Sequence, residues 1–178
     1  MSADDDSPWL VAAPGMALDA VTAASTVALD RLDLDERAIL PAAWAHRVRV
    51  PDAQRGFELP LGLFTVVEAS EGNVVRVRAT PTLEALSWEG ALALAASVGE
   101  ALEAARWIHT DKPRPAELAQ RFDGADEGVV ARWRNSPWEV DVTLWRAARA
   151  GSGLADALQY AEDAWLVTVS VGDRRVSC

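Results

Sequence analysis

The chain of 178 residues has little of the side-chain chemistry on which most enzymes depend. It contains one cysteine, Cys178, two histidines, His46 and His109, and one tyrosine. A single cysteine excludes an internal disulfide. The two histidines lie far apart in the sequence, and no H-E-x-x-H or C-x-x-C motif accompanies them, so the spacing typical of a metal site is missing. These absences predict a protein with no catalytic residues, no metal and no cofactor.

Motifs that position a nucleophile or a phosphate group are also absent. No G-x-S-x-G turn follows a strand, and Ser152 lies between two glycines in a segment typical of a loop. Neither form of glycine-rich phosphate loop is present. We therefore expect that the protein is not an enzyme and does not bind nucleotides.

Long apolar runs are missing too, since none approaches the roughly 18 residues that a membrane-spanning helix needs. The first eight residues are acidic and do not have the regions of a signal peptide. We expect no membrane insertion and a cytoplasmic location, with the periplasm as the alternative if a signal sequence was removed.

The formal net charge is -10, and residues 1–36 hold eight acidic side chains against a single arginine. Such a surface repels phosphate backbones and anionic lipids, and it attracts a basic protein. Arginine and tryptophan alternate around residues 132–134, as they do on some platforms for single-stranded nucleic acids. Alternation between a buried and a solvated strand face explains that pattern more simply. We expect a basic protein partner and no nucleic acid.

Tryptophan, in contrast, is abundant. Eight are more than one core of this size commonly needs, and tryptophan often anchors protein interfaces. We predict that one or two are exposed as anchors: Trp9 on the N-terminal segment, and Trp138 beside Pro137 at a hairpin corner. The full set is Trp9, Trp44, Trp88, Trp107, Trp133, Trp138, Trp145 and Trp165.

Hydrophobic periodicity predicts short helices and paired strands. Ser87 is a plausible N-cap, with an apolar stripe after it. Residues 32–40 fit either a strand or a turn, and residues 51–60 fit a loop. Helices are predicted at 15–29, 87–106, 116–122 and 154–161, and strands at 44–50, 61–69, 74–80, 128–133, 138–146 and 165–171.

This order predicts an α+β fold, in which an antiparallel sheet built from hairpins has helices packed on one face. Residues 1–8 are expected to form a flexible acidic segment, and residues 9–178 a single domain. The order also fits two α-β-β repeats, with halves at residues 9–81 and 82–178.

The segment from Ala13 to Val21 contains the pattern G-M-x-x-x-x-V, at Gly15, Met16 and Val21. It resembles the start of the first helix in the SmpA/BamE-like outer-membrane lipoproteins. That resemblance implies a helix followed by a short antiparallel sheet, and an accessory or scaffold role in the envelope or in secretion.

In type, the chain resembles the immunity proteins that bacteria make against secreted toxins, which are small, acidic, α+β and without catalytic residues. This resemblance implies a non-enzymatic inhibitor that covers the active site of a basic effector. A hydrolase or a small-ligand-binding protein is the further alternative. The residues predicted to bind the partner are Trp9, Trp138, Asp33, Asp35, Asp123, Asp126 and Glu127.

Overall fold

Residues 37–42 and 46–50 pair antiparallel with residues 57–70, and together they form a long hairpin that is shared between two sheets. The pairing runs from Arg37 opposite Ser70 to Val50 opposite Phe57. The structure is a computed structural model, and it describes residues 7–27, 29–30, 32–34, 37–42, 45–111, 113, 117–118, 122, 125–147 and 164–174.

Two helices and eleven strands make up this described part of the chain. The helices are α1 (Leu18–Ala24) and α2 (Trp88–Ala104). The strands are β1 (Trp9–Val11), β2 (Leu32–Leu34), β3 (Arg37–Ala42), β4 (His46–Val50), β5 (Phe57–Gly62), β6 (Phe64–Ser70), β7 (Asn73–Thr80), β8 (Ile108–Asp111), β9 (Glu127–Asn135), β10 (Trp138–Arg146) and β11 (Trp165–Asp173).

The strands form one sheet of eight strands, in the order β2-β3-β6-β7-β11-β10-β9-β8, and one of three, in the order β1-β4-β5. Every pairing in the larger sheet is antiparallel, and β1 runs parallel to β4 in the smaller one. The predicted α+β class with mostly antiparallel strands is therefore confirmed.

The predicted α-β-β repeat is not confirmed. The segment before residue 82 contributes seven strands and the segment after it four, so the two halves do not have the same content. Moreover, β11 pairs with β7 across the predicted boundary, from Val169 opposite Ala79 to Gly172 opposite Arg76.

Burial alternates along most of the two central strands, β10 and β11, so each has a buried and a half-exposed face. In β10 the apolar side chains from Trp138 to Leu144 are buried, and those from Glu139 to Thr143 are half-exposed. In β11 the apolar side chains from Trp165 to Val171 are likewise buried. The inward residues of both strands belong to one hydrophobic core.

Helix α2 lies on the buried side of the larger sheet, where it contacts β9 and β11, and it also contacts β5 of the smaller sheet. Its start is as predicted: the Ser87 side chain accepts a hydrogen bond from the Gly90 N–H at 3.1 Å. Among the described residues, no helix is both long enough and apolar enough to cross a bilayer.

Helix α1 is shorter than predicted and ends at Ala24. The next two residues bind the outer edge of β1 instead. The Ser25 hydroxyl accepts from the Val11 N–H at 3.0 Å, and the Thr26 hydroxyl accepts from the Trp9 N–H at 2.8 Å. Side chains of this type compete with helical hydrogen bonding, which explains the early end.

Three strands differ from the sequence interpretation. Residues 57–60 belong to β5, although they were predicted as loop; Pro60 lies where the register with β4 shifts, so its missing N–H breaks no regular pairing. Strands β1 and β8 were not predicted. The predicted helix at 154–161 lies outside the described residues, as does most of the one at 116–122.

The loop of the long hairpin is held by Asp52. Burial disfavours the charged carboxylate, but hydrogen bonds from the backbone N–H groups of Gln54 and Arg55 and from the Arg55 side chain outweigh it. The pKa of Asp52 therefore lies below its ordinary value. Arg55 in turn places its guanidinium 4.5 Å from the centre of the Trp138 ring.

We expect Asp52→Ala to reduce the free energy of unfolding by about 1.5 kcal/mol near pH 7, because a charge-assisted network is lost. A lowered pKa in the folded state stabilises the protein above the unfolded-state pKa, and this contribution disappears as the pH falls through the lowered value. Urea unfolding at pH 7 and pH 3 measures the difference between wild type and variant. It should shrink at pH 3, and a constant difference would contradict the assignment.

Candidate functional site

The face of the eight-stranded sheet that points away from α2 carries polar side chains from four neighbouring strands, β7, β11, β10 and β9. They surround a shallow concavity of about 500 Å³. We call this surface the polar sheet face. It is defined by Arg76, Arg78, Arg132, Arg134, Glu139, Asp141, Thr143, Trp145, Thr168, Ser170, Gly172 and Arg174.

The pairing register arranges the charges of this face in two rows across the sheet. In the first row, Arg76 of β7 lies opposite Gly172 of β11. Gly172 in turn lies opposite Glu139 of β10, and Glu139 lies opposite Arg134 of β9. Since Gly172 has no side chain, a gap separates Arg76 from Glu139. Glu68 of β6 extends the row, with its carboxylate 3.9 Å from Arg76.

The second row runs from Arg78 through Ser170 and Asp141 to Arg132. Arg132 binds Asp141 with two hydrogen bonds, from Nε at 2.6 Å and from Nη2 at 3.2 Å. This hydrogen bonding raises the pKa of Arg132 above its ordinary value, so its positive charge is permanent. A two-point pair of this kind also fixes the orientation of the guanidinium.

Glu139 connects the rows to the C-terminal end of β11. Its carboxylate lies 3.5 Å from Arg132 Nε, 3.3 Å from Arg134 Nη2 and 3.6 Å from Arg174 Nε. One carboxylate therefore holds three cations in place. Across the face and its margins five arginines lie among five carboxylates, Glu68, Asp111, Glu127, Glu139 and Asp141, so charges of both signs alternate on this surface.

The other end of the concavity is less polar. Thr143 lies opposite Thr168, and beyond them Trp145 lies opposite Leu166 on one side and Glu127 on the other. The face therefore changes from charged pairs through hydroxyl groups to an indole ring, and it offers a partner ionic, hydrogen-bonding and apolar contacts in sequence.

The hydroxyl groups of this face have no histidine beside them. A hydroxyl nucleophile needs a base beside it, and neither histidine lies on this face. His46 is buried in the core with its Nε2 2.7 Å from the Thr65 hydroxyl, and His109 stacks on Trp133 on the opposite face of the sheet. The described residues contain no group of three or more potential ligands that could hold a metal ion.

Trp9, one of the two predicted anchors, lies on the outer face of the smaller sheet and is half-buried. The guanidinium carbon of Arg49 lies 4.4 Å from the centre of its ring, and that of Arg47 lies 5.8 Å away. Arg49 also binds Glu58 at 2.8 Å. Part of the indole is thus available to a partner, and its role in binding stays a prediction.

The prediction that Trp138 is exposed is wrong, since only 7% of the residue is accessible. It begins β10 with its side chain on the buried face, in line with Val140 and Val142. Arg55, from a loop distant in sequence, covers the ring. A corner position in a hairpin therefore did not expose this tryptophan, and we do not retain it as an anchor.

Of the predicted acidic residues that the structure describes, Asp33 lies far from Asp126 and Glu127. Asp33 is on β2 and Glu127 on β9, the first and the seventh strands of the larger sheet, which places them about 29 Å apart along the sheet. Asp126 immediately precedes β9, and Asp35 and Asp123 lie outside the described residues. Of this set, Glu127 shares a face with Trp145 at the margin of the concavity.

Sequence analysis did not single out Arg76, Arg78 or Arg174, and it interpreted the arginines at 132–134 only as part of a solvated strand face. Alternation of apolar and charged residues indicates that Arg76 and Arg78 point away from the core, and that Glu139 and Asp141 do so too. It did not indicate that β11 lies between them and brings both pairs to one surface.

Comparison with protein-family models, with curated proteins and with solved structures finds no match for this chain.

Proposed function

We propose that the protein is a non-enzymatic protein-binding module, an inhibitor of the immunity type, which binds its partner with the polar sheet face. The observation that carries the proposal is the double row of arginines and carboxylates on four adjacent strands. By covering the active site of the partner, this surface blocks access of substrate. The function requires no catalytic group of the inhibitor itself.

The rows support binding because their side chains are already ordered. Asp141 holds Arg132 with two hydrogen bonds, and Glu139 lies within 3.6 Å of three arginines. Each long side chain that is held before association loses less conformational entropy when the partner docks. A surface on paired strands also keeps its shape better than one formed by loops.

In this proposal, charge affects both the rate at which the partner approaches and the contacts it makes once bound. The net charge of -10 attracts a basic partner from solution and increases the association rate. At the contact itself, arginines alternate with carboxylates, so the partner's docking surface supplies hydrogen-bond acceptors for the arginines and donors for the carboxylates. A mixed pattern of both signs favours one register and disfavours other partners.

The test uses a double variant, Arg78→Glu with Arg174→Glu, and begins with capture of the partner by tagged wild-type protein from its source cells. The two arginines are 43% and 54% exposed, so their replacement costs little stability. We expect one stoichiometric partner, and a dissociation constant about 100-fold weaker for the double variant, measured by titration at physiological salt.

Arg106→Glu provides the control for each single face variant, Arg78→Glu or Arg174→Glu, because it makes the same charge change at one exposed arginine after the end of α2. It should bind as tightly as wild type. Equal affinity of the face variant and wild type would refute this binding surface. If the control weakens binding of the partner as much as a single face variant does, net charge and not this surface accounts for the loss of affinity.

The inhibitor role is tested with the captured partner. Addition of the wild-type protein should abolish the partner's enzymatic activity or toxicity at a one-to-one ratio, and the face variant should not. A partner that binds the polar sheet face without loss of its own activity would identify the protein as an accessory or scaffold component instead.

A further inference from the structure

Among the residues that define the polar sheet face, Gly172 alone has no side chain. It lies on β11, between Arg76 of β7 and Glu139 of β10, so the charged row is interrupted at this residue. A glycine inside a strand weakens the sheet, because it packs against nothing. It usually marks a bulge, a close contact with backbone, or a place where another molecule comes near.

The backbone and the packing do not require a glycine at this position. The φ angle of Gly172 is not in the left-handed region, in contrast to those of Gly15 and Gly72. The pairing of β11 with β10 runs to the end of the strand without a shift of register. A Cβ atom on Gly172 would have its nearest neighbour, Nε of Arg76, at 3.6 Å, an ordinary contact. The fold therefore accepts a side chain here, and the gap has room for a group from another molecule.

Two arginines lie next to this gap. An atom in contact with Gly172 would be close to Nε of Arg76, and Arg174 follows two residues later along the chain and lines the same concavity. The contacts of these arginines with carboxylates are long: 3.9 Å from Arg76 to Glu68, and 3.6 Å from Arg174 to Glu139. A charge-assisted hydrogen bond measures about 2.7–2.9 Å. Neither of these ion pairs is therefore a tight one.

The negative charges of the face lie further from the gap or are held by other arginines. Glu139 lies opposite Gly172, but its carboxylate is within 3.6 Å of Arg174 and of two arginines on β9, the strand on the far side of β10. Asp141, the next carboxylate on β10, accepts two hydrogen bonds from that same strand. The other carboxylates of the face are two or more strands from β11. The gap therefore favours an anion over a cation.

We propose that the partner inserts one acidic side chain, of aspartate or glutamate, into the gap over Gly172, and that its carboxylate binds Arg76 and Arg174. This inference rests on the proposed function, and it specifies which chemical group of the partner meets the polar sheet face. Guanidinium and carboxylate groups make short, charge-assisted hydrogen bonds, which a neutral amide makes less strongly. The inserted side chain fixes the position of the partner on the sheet.

Two variants of equal size, Gly172→Asp and Gly172→Asn, test this proposal. The first places a carboxylate of the protein itself in the gap, so it tests the gap without the partner. We expect the pKa of the new carboxyl to be at least about one unit below its ordinary value of about 3.9, as measured by ¹³C NMR titration. Addition of Arg76→Gln should raise it again. An unshifted or raised pKa would overturn the proposal, because the gap would then not favour a carboxylate.

The same pair is compared in binding of the captured partner. Gly172→Asn fills the gap without a change of charge, and we expect its dissociation constant to be at least about threefold weaker than that of wild type. Gly172→Asp should be at least about tenfold weaker again, because its carboxylate repels the inserted one. Equal affinities of the two variants would indicate a neutral inserted group, and tighter binding by Gly172→Asp a cationic one. Either result contradicts the proposal.

Failure of this inference is distinguishable from failure of the proposed function. If both Gly172 variants bind the partner like wild type while the double variant of Arg78 and Arg174 is weakened, the polar sheet face remains the binding surface and no side chain enters the gap. If the double variant also binds like wild type, the proposed binding surface is itself refuted.

Discussion

Gly62→Ala should produce the largest loss of stability of any single methyl addition considered for this protein, about 4 kcal/mol or more. Gly62 ends β5, opposite His46, where the long hairpin passes from the smaller sheet to the larger one. A Cβ atom there would overlap the carbonyl oxygen of Thr80 and lie 2.8 Å from Cα of Pro81. Both are backbone atoms, so no side-chain rotation relieves the overlap.

Gly172→Ala is the matched control for this substitution. Gly172 also lies in a strand, but an added Cβ would have its nearest neighbour at 3.6 Å, which is an ordinary contact. We expect the control to remain within about 1 kcal/mol of wild type. Urea unfolding followed by circular dichroism measures both, with soluble yield as the readout if Gly62→Ala does not fold. Equal stabilities of the two variants would show that the bend tolerates a side chain.

Trp165→Ala is expected to cost about 3–5 kcal/mol and to lower the melting temperature by about 10 °C. Trp165 is 6% exposed and makes edge-to-face contacts with Trp88 at 5.0 Å and with Phe122 at 5.3 Å. Trp88 and Phe122 also contact each other at 5.1 Å. Removal of Trp165 therefore leaves a cavity and breaks two of the three contacts of this aromatic cluster.

Trp9→Ala makes the same chemical change at a half-buried position on the surface. The indole of Trp9 is covered mainly by Arg49, so we expect a cost of only about 1 kcal/mol. Thermal unfolding of both variants at neutral pH provides the comparison. A cost at Trp165 no greater than the cost at Trp9 would contradict the packing role of the cluster.

Individual helices and strands were predictable where the apolar residues of the sequence followed one clear periodicity. The Ser87 cap and the apolar stripe after it indicated α2 to within about two residues of its end. Alternation indicated β10 with both of its ends and β11 with its start. In each case, the pattern depends on which side of a single element faces the core, and adjacent residues carry that information.

Long-range pairing was not predictable, because periodicity does not identify which strands are neighbours. Nothing local to β7 or β11 indicates that they pair across about 90 residues of chain, although this contact joins the two halves of the larger sheet. For the same reason the arginines at 76 and 78 did not look like part of one surface with Glu139. Trp138 was misjudged because Arg55 covers it from a distant loop.

The position of β11 has a consequence for synthesis of the protein on the ribosome. It is the last strand that the structure describes, yet it lies in the middle of the eight-stranded sheet, between β7 and β10. Until residues 165–173 have emerged, both of these strands present an unpaired backbone edge, and the two parts of the sheet remain separate. The larger sheet is therefore completed only after residue 173 has emerged, and a nascent chain stalled before residue 165 should be prone to aggregation.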